Sequence, residues 1–561
     1  MKKLLFFVAA AAMMTACSTE ELANPGNNQD PNGDPINFSV YTPRTTTRAG
    51  VPGSITDTNL KDGSTDLGKA GFGIFGYFTA GTTYDQNATP NFMYNQQVKY
   101  DGSKWKYEPV KYWPNEYGNA AQSDDIDRVS FFAYAPWTEV TPSSGLPIYK
   151  PLSTDAEYDA FANSLGLTGV TTLATYMTTY GYNSTNYGTD DAAKTAAKAA
   201  LDAIHADQIQ NKNIIEMSKN NATGDPIIKY VVDTDPKTSV DLLYGVAAKT
   251  SATDYGTAIG DNTVSIEEGK PFIDLVKPNY STGTEKLNFW LQHALAQIKV
   301  TIDYVADIDL ANGTAPTANS NVIDNKYTRI FVRSVSFGGF AMKGALNLHS
   351  TKTMKIDDNY TVGVPLWKSL DGTSDLTFDN ITFHDGRKDG REGATNGAQT
   401  SETPIGLNPE IIENEGYVVP VSTTAKTHWA ATADVPAGQN EKNPGVKAFS
   451  TTTASQNLFG GTGNFFYVIP RNNGEGVSLT LAYDVETIDD NLAGKLSDNA
   501  THGISIENVI TKDNIFGAGV DFKPGYSYTI AIHIGMTSVK VDAAVVPWQT
   551  VTGINPAMPE N

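Results

Sequence analysis

Seven histidines (His205, His293, His349, His384, His428, His502 and His533) are the side chains best suited to ligate a metal or move a proton near neutral pH. A helical zinc site needs two of them in H-x-x-x-H or H-E-x-x-H spacing, and no pair has it. His293, in Trp290-Leu-Gln-His-Ala-Leu-Ala, reads as a structural histidine in or beside a β-core rather than a catalytic base. Gly71-Phe-Gly-Ile-Phe-Gly76 spells G-x-G-x-x-G, which cradles a pyrophosphate only where a tight turn opens a helix. Here Phe72, Ile74, Phe75, Tyr77 and Phe78 interleave with the glycines and no helical pattern follows, so a glycine-containing strand is expected. Asp385-Gly-Arg-Lys-Asp-Gly-Arg-Glu has the look of a calcium loop, but Arg387, Lys388 and Arg391 oppose a divalent cation, which favours a solvated turn. Gly-x-Ser-x-Gly is absent, and no carboxylate pair is singled out by spacing. The aromatic cluster Trp105, Tyr107, Tyr112 and Trp113, with Trp137 beyond, could stack on sugars, although such rings more often line a sandwich core and its rim. The motifs therefore point to no enzyme, no metal and no other cofactor.

The elements that would position such residues follow from composition and pattern. A chain of 561 residues implies two β-domains, or two plus an insertion. Lys plus Arg number 41 against 62 Asp plus Glu, and the net charge of −21 repels phosphate backbones, which disfavours a nucleic-acid partner. The single cysteine, Cys17, permits no internal disulfide and no cysteine-based zinc site. It follows a positive Lys2-Lys3 start, a short apolar run and Met14-Thr15-Ala16. That pattern reads as a secretory signal over 1–16 and resembles the bacterial lipoprotein signal, with Met14 where a leucine is usual and Cys17 as the lipidated residue. Acyl chains at about 0.8 kcal/mol per buried methylene would hold the chain on a membrane. Residues 17–35, rich in Asn, Asp, Gly and Pro, read as a flexible tether.

From Ile36 onward, short apolar runs alternate at period two between turn-forming clusters. Strands are expected at 36–41, 72–78, 104–112, 129–134, 227–232, 241–247, 287–304, 330–337, 465–469, 477–483, 526–534 and 539–546. The exception is 154–220, read as a helical insertion. Its stretch 191–219 is rich in helix-forming Ala and Lys, with Asp190 or Asp191 as a cap. Accumulated Asn, Gly, Thr, Ala and Pro at 306–325 mark a boundary, giving an N-terminal domain over 36–310 and a C-terminal one over 325–561. Residues 385–397 read as an exposed loop.

Several stretches, in order, resemble the fimbrillin family (Mfa-like, FimA-like), the type V pilus subunits of Bacteroidales. They are Ile36-Asn-Phe-Ser-Val, Thr47-Arg48-Ala49, Phe72-Gly-Ile-Phe-Gly-Tyr-Phe, Val110-Lys-Tyr-Trp-Pro114 and Val129-Ser-Phe-Phe-Ala-Tyr-Ala-Pro136. Asp241-Leu-Leu-Tyr-Gly245, the run 287–300, Phe522-Lys-Pro-Gly-Tyr-Ser-Tyr-Thr529 and the run 541–548 complete the set. The resemblance implies an all-β fold of two transthyretin-like β-sandwich domains, here with the helical insertion in the first. It also implies export as a lipoprotein on the cell outer membrane, then a cut by an Arg-specific surface protease. Arg48, followed by Ala49, fits that site, with Arg44 as the fallback.

Such a cut would release the strand carrying Ile36, Phe38 and Val40, whose burial at about 1.5–3 kcal/mol each amounts to roughly 5–9 kcal/mol. The vacated edge could accept a strand from another fimbrial subunit. The candidate donor is the run Val539, Val541, Ala543 and Val545 up to Trp548, or the tail 549–561. Head-to-tail exchange of this kind does not close, so its product is a filament. The function expected is a structural fimbrial subunit, a shaft, tip or accessory pilin with a role in adhesion to a host or microbial glycan or protein. The alternatives are an uncut fimbrial anchor subunit and a surface glycan-binding lipoprotein.

Overall fold

The computed structural model describes residues 35–42, 55–64, 66–114, 127–148, 152–165, 167–182, 190–209, 213–232, 239–247, 269–275, 286–304, 328–349, 353–357, 360–363, 366–384, 456–458, 465–471, 476–489, 491–492, 503–517, 520–534 and 539–547. The fold is all-β, as expected, and its strands fall into several sheets. The signal, Cys17, Arg44, Arg48, Ala49, the boundary stretch 306–325, the loop 385–397, Trp548 and the tail 549–561 lie outside the described residues.

The first sheet runs in the order β1 (Phe38–Tyr41), β10 (Leu287–His293), β8 (Leu243–Ala247), β5 (Arg128–Ala135), β2 (Phe72–Ala80), β3 (Met93–Tyr100) and β4 (Trp105–Lys106), with β9 (Phe272–Leu275) also on β5. Its middle strands are buried on both faces, which is why they read as nearly unbroken apolar runs. Phe72, Phe131, Phe289 and Leu291 pack into one core, while Phe75, Phe132, Tyr134, Tyr244 and Trp290 pack into another on the opposite face. The glycines of the G-x-G-x-x-G run belong to this packing. Gly71 has φ +64, and a Cβ at Gly73 would stand 2.3 Å from the Tyr134 ring. They make room for a neighbouring ring and strand in β2, with no helix after them to present a phosphate site.

The second sheet runs β18 (Gln456–Asn457), β11 (Ala296–Tyr304), β22 (Tyr526–Ile534) and β23 (Val539–Pro547), with β19 (Phe466–Val468) also on β11. A third runs β17 (Asp379–His384), β12 (Thr328–Phe340), β20 (Ser478–Ile488) and β21 (Gly503–Lys512). These two face each other, with the Phe466 ring 5.7 Å from Phe337 and 5.2 Å from Phe383. A fourth sheet, β16 (Leu366–Lys368), β13 (Lys343–Asn347), β7 (Ile227–Val231) and β6 (Ile214–Met217), mixes strands from the two halves of the sequence; β14 (Thr353–Asp357) and β15 (Tyr360–Gly363) pair separately.

Two departures from the sequence reading have clear causes. The single run expected over 287–304 is broken at Ala294-Leu295, where the chain leaves the first sheet and enters the second. Ala294 donates its N–H to Leu242 O at 2.7 Å, and Leu295 O accepts from Gly525 at 2.8 Å, so each residue serves a different sheet. By sheet membership, β11 thus lies with the C-terminal strands, ahead of the 306–325 stretch. The helical insertion is shorter than expected. Among the described residues it holds the helices Asp155–Ser164, Leu173–Thr179 and Asp190–Ile209, and 214–217 is already strand β6. Asp190 and Asp191 sit inside the last helix rather than capping it. Ala193, Ala197 and Leu201, four apart, form its buried stripe, and Lys194 and Lys198 both reach Asp155, tying the first and last helices of the insertion together.

The two halves are also tied by a polar cluster. Asp225 Oδ1 accepts from the Tyr84 hydroxyl at 2.9 Å and lies 2.9 Å from His349 Nδ1, while Asn347 Nδ2 donates to Oδ2 at 2.8 Å. Burial alone would raise the Asp225 carboxyl, but the bonds from His349, Asn347 and Tyr84 outweigh it and hold it below its ordinary 3.8. A carboxyl lowered in the folded state contributes stability above its unfolded pKa and loses that contribution as pH falls through the folded value. Asp225→Asn is therefore expected to flatten the acid-side loss of stability below about pH 4. Urea midpoints of both forms, measured from about pH 3 to pH 6, check this; parallel curves would count against it.

Candidate functional site: the seat of the first strand

β1 is short, but it is held on two sides. It pairs in parallel with β10, with Phe38 opposite Leu287 and Val40 opposite Phe289, and Leu287 donates its N–H to Asn37 O at 2.8 Å. On the far side Ile36 donates to Lys111 O at 2.9 Å, and Pro35 bridges Tyr112. The segment 107–112 follows β4 at the opposite end of the sheet's strand order, so the sheet curls until β1 fills the gap between its two ends. Ile36, Phe38 and Val40 point into the enclosed core and are at most 3% exposed.

The walls of that gap are aromatic. The Phe38 ring lies 5.4 Å from Tyr107, 5.5 Å from Phe131 and 6.3 Å from Phe289, and Phe92 and Trp113 flank Phe131. Tyr107 adds a polar contact: its hydroxyl donates to Ile36 O at 2.7 Å and accepts from Lys111 N at 3.2 Å. Burial pushes that hydroxyl well above its ordinary 10.0, which keeps it protonated as a donor. Sequence reasoning grouped Tyr107 and Trp113 with Trp105, Tyr112 and Trp137 as a possible sugar platform. Instead Tyr107 and Trp113 are buried, Trp105 packs edge-on against Phe72 at 5.1 Å, and the Trp137 indole donates to Asn95 O at 2.9 Å. Tyr107 and Trp113 thus belong to the core, while Trp105, Tyr112 and Trp137 stay half-buried at its rim, as the pattern of such rings in a sandwich leads one to expect.

Just past the cut expected after Arg48, the chain is pinned again. Ile55 is 1% exposed and donates its N–H to Asp241 Oδ2 at 3.3 Å, and the same oxygen lies 2.5 Å from His293 Nδ1. His293 thus sits in the β-core on β10, facing a carboxylate. Thr56 then caps the helix Asp57–Lys61 through a reciprocal capping box with Asn59. The residues between β1 and this anchor, 43–54, contain Arg44 and Arg48. Among the described residues there is no group of three or more His, Cys, Asp or Glu arranged to hold a metal, and no helix long and apolar enough to cross a membrane.

The candidate donor lies far away in sequence and at an edge in structure. β23 is the last strand of its sheet and pairs antiparallel with β22 along its whole length, from Val539 opposite Ile534 to Pro547 opposite Tyr526. The face carrying Val539, Val541, Ala543 and Val545 is buried at its start and bare at its end: Val539 is 5% exposed and Val545 47%.

No family model matches the chain. Over 148 residues it is 34% identical to the fimbrium subunit Fim1C of Phocaeicola vulgatus, a match covering 26% of this chain and 32% of that relative. The match thus spans about a third of the relative's length. Among solved structures the chain is similar to a fimbrial protein from Bacteroides vulgatus at 18% identity, covering 92% of this chain and 99% of that one, with a TM-score of 0.40. It is also similar to a fimbrilin from Porphyromonas gingivalis at 10% identity, covering 93% and 99%, with a TM-score of 0.27. With the ordered motifs that run from Ile36 to Trp548, the match to Fim1C supports a fimbrillin family for this chain.

Proposed function

We propose that this protein is a structural subunit of cell-surface fimbriae, exported as a lipoprotein on Cys17, cut after Arg48 and assembled by strand exchange. The observation that carries the reading is the seat of β1. Three packed side chains enter an aromatic core on a strand whose chain continues to the next described residues, from Ile55 on, through 43–54, which hold Arg48. After a cut there, β1 is held by non-covalent contacts alone, and the burial it contributes, roughly 5–9 kcal/mol, is open to replacement by a strand of like pattern. The relative Fim1C is a fimbrium subunit, which favours the same class of role here. Partners are then further subunits, with an Arg-specific protease acting once during maturation.

N-terminal sequencing of protein recovered from the cell surface, with an unheated gel of the same sample, tests the reading. An Ala49 terminus with a ladder of oligomers is the expected result. An acylated Cys17 terminus with monomers only would leave an uncut lipoprotein instead.

A further inference from the structure

The seat of β1 does more than accept any apolar strand; its bonds alternate in a way that reads register. Ile36 turns its N–H and carbonyl toward 107–111, where Lys111 O and the Tyr107 hydroxyl take them at 2.9 and 2.7 Å. Asn37 turns its carbonyl the other way, to Leu287 of β10. Two residues after the carbonyl that Tyr107 holds, the Phe38 ring enters the box of Tyr107, Phe131 and Phe289. One side chain therefore fixes both a backbone carbonyl and a ring position. Its hydroxyl has a second acceptor within reach, Lys111 O at 3.2 Å, so it can stay hydrogen-bonded when Ile36 leaves.

Resting on the strand-exchange reading above, we propose that Tyr107 sets the register of the strand that replaces β1, and that the box selects an aromatic ring two residues after the carbonyl Tyr107 holds. The occupant is Val546-Pro547-Trp548-Gln549-Thr550 of a second copy, with Trp548 in the place of Phe38. The face of β23 carrying Val541, Ala543 and Val545 has no ring and cannot fill the box; the first ring after it is Trp548. In this register Val546 takes the place of Ile36 and Thr550 that of Val40. Pro547 falls where Asn37 lends β10 a carbonyl, an acceptor that proline keeps although it lacks an N–H. Val546 and Pro547 are the last two residues of β23, at the edge of its sheet opposite Ser527 and Tyr526 of β22, and Trp548 follows them in sequence.

The test uses the full chain, nicked natively by an Arg-specific protease and stripped of the released N-terminal piece. Labelled synthetic peptides of residues 35–42 and 545–552 are then titrated onto it. Both are expected to bind, and Phe38→Ala or Trp548→Ala in the peptide should weaken binding roughly 30-fold or more, against a smaller loss for Val40→Ala. Tyr107→Phe in the chain keeps the ring and should weaken both parent peptides about three- to tenfold. If ring removal costs no more than Val40→Ala, the aromatic selection is wrong while strand exchange stands. If the 35–42 peptide binds and the 545–552 peptide does not, the tail of a second copy is the wrong occupant. If neither binds a nicked chain that keeps its far-UV circular dichroism, strand exchange itself fails.

Discussion

Asp241→Ala is expected to lower the unfolding free energy by about 3–5 kcal/mol, the cost of removing one partner from a fully buried polar pair. Asp241 and His293 have no exposed side-chain surface, and the same carboxylate oxygen also takes the Ile55 N–H. Alanine would leave both the imidazole and the Ile55 amide without this acceptor in a region that water does not reach. The effect should be twofold. Urea unfolding would show the loss of stability, and limited proteolysis would show cleavage near 55–61, because Ile55 leads into the helix Asp57–Lys61, whose Leu60 packs into the same core. An unfolding midpoint within error of the parent would mean that other contacts already satisfy the imidazole and amide, and the anchoring role would fall.

Phe131→Ala should be of similar size, about 3–5 kcal/mol, because the ring meets Phe38, Phe92 and Trp113 and no solvent can fill the space it leaves. Val509→Ala is the natural control: Val509 is 66% exposed, so its truncation should stay within about 0.5 kcal/mol of zero. The Phe131 variant should also loosen β1, and protease sensitivity at 36–42 would rise before the rest of the fold opens. If Phe131→Ala and Val509→Ala behave alike, the aromatic core around β1 does not hold the fold.

Much of the sheet structure was legible because burial on both faces leaves unbroken apolar runs, as in 72–78 and 129–134, and burial on one face leaves alternation, as in 526–534. β3 escaped notice because Met93-Tyr-Asn-Gln-Gln-Val-Lys-Tyr is largely polar; its buried Asn95 works by donating to Thr138 O at 2.8 Å, which no hydrophobic pattern signals. β21 is masked differently: Ile504, Ile506 and Ile510 share one face, but Asn508 interrupts the apolar run, Ile504 and Ile506 are more than half exposed, and it is Ile510 that packs against the core. The helices Asp57–Lys61 and Asp66–Ala70 are too short to show a period. At the site, Ile36, Phe38 and Val40 could be read from their alternation alone. Tyr107, Phe131 and Phe289 could not, since they meet only because the sheet curls and brings 107–112 beside β1.

The fourth sheet and the β11–β22 pairing have a kinetic consequence. β7 must wait for β13, more than a hundred residues later, and β11 must wait for β22, more than two hundred later. Pairings between such distant segments require large loops to close before any contact compensates the lost chain entropy, so they slow folding. A chain threaded across a membrane from its N-terminus would therefore emerge with its first half unfinished. The core around β1 draws on residues only as far as Leu291 and could close early, whereas the core on the sheet's other face reaches to β23 and completes only when nearly the whole chain is available.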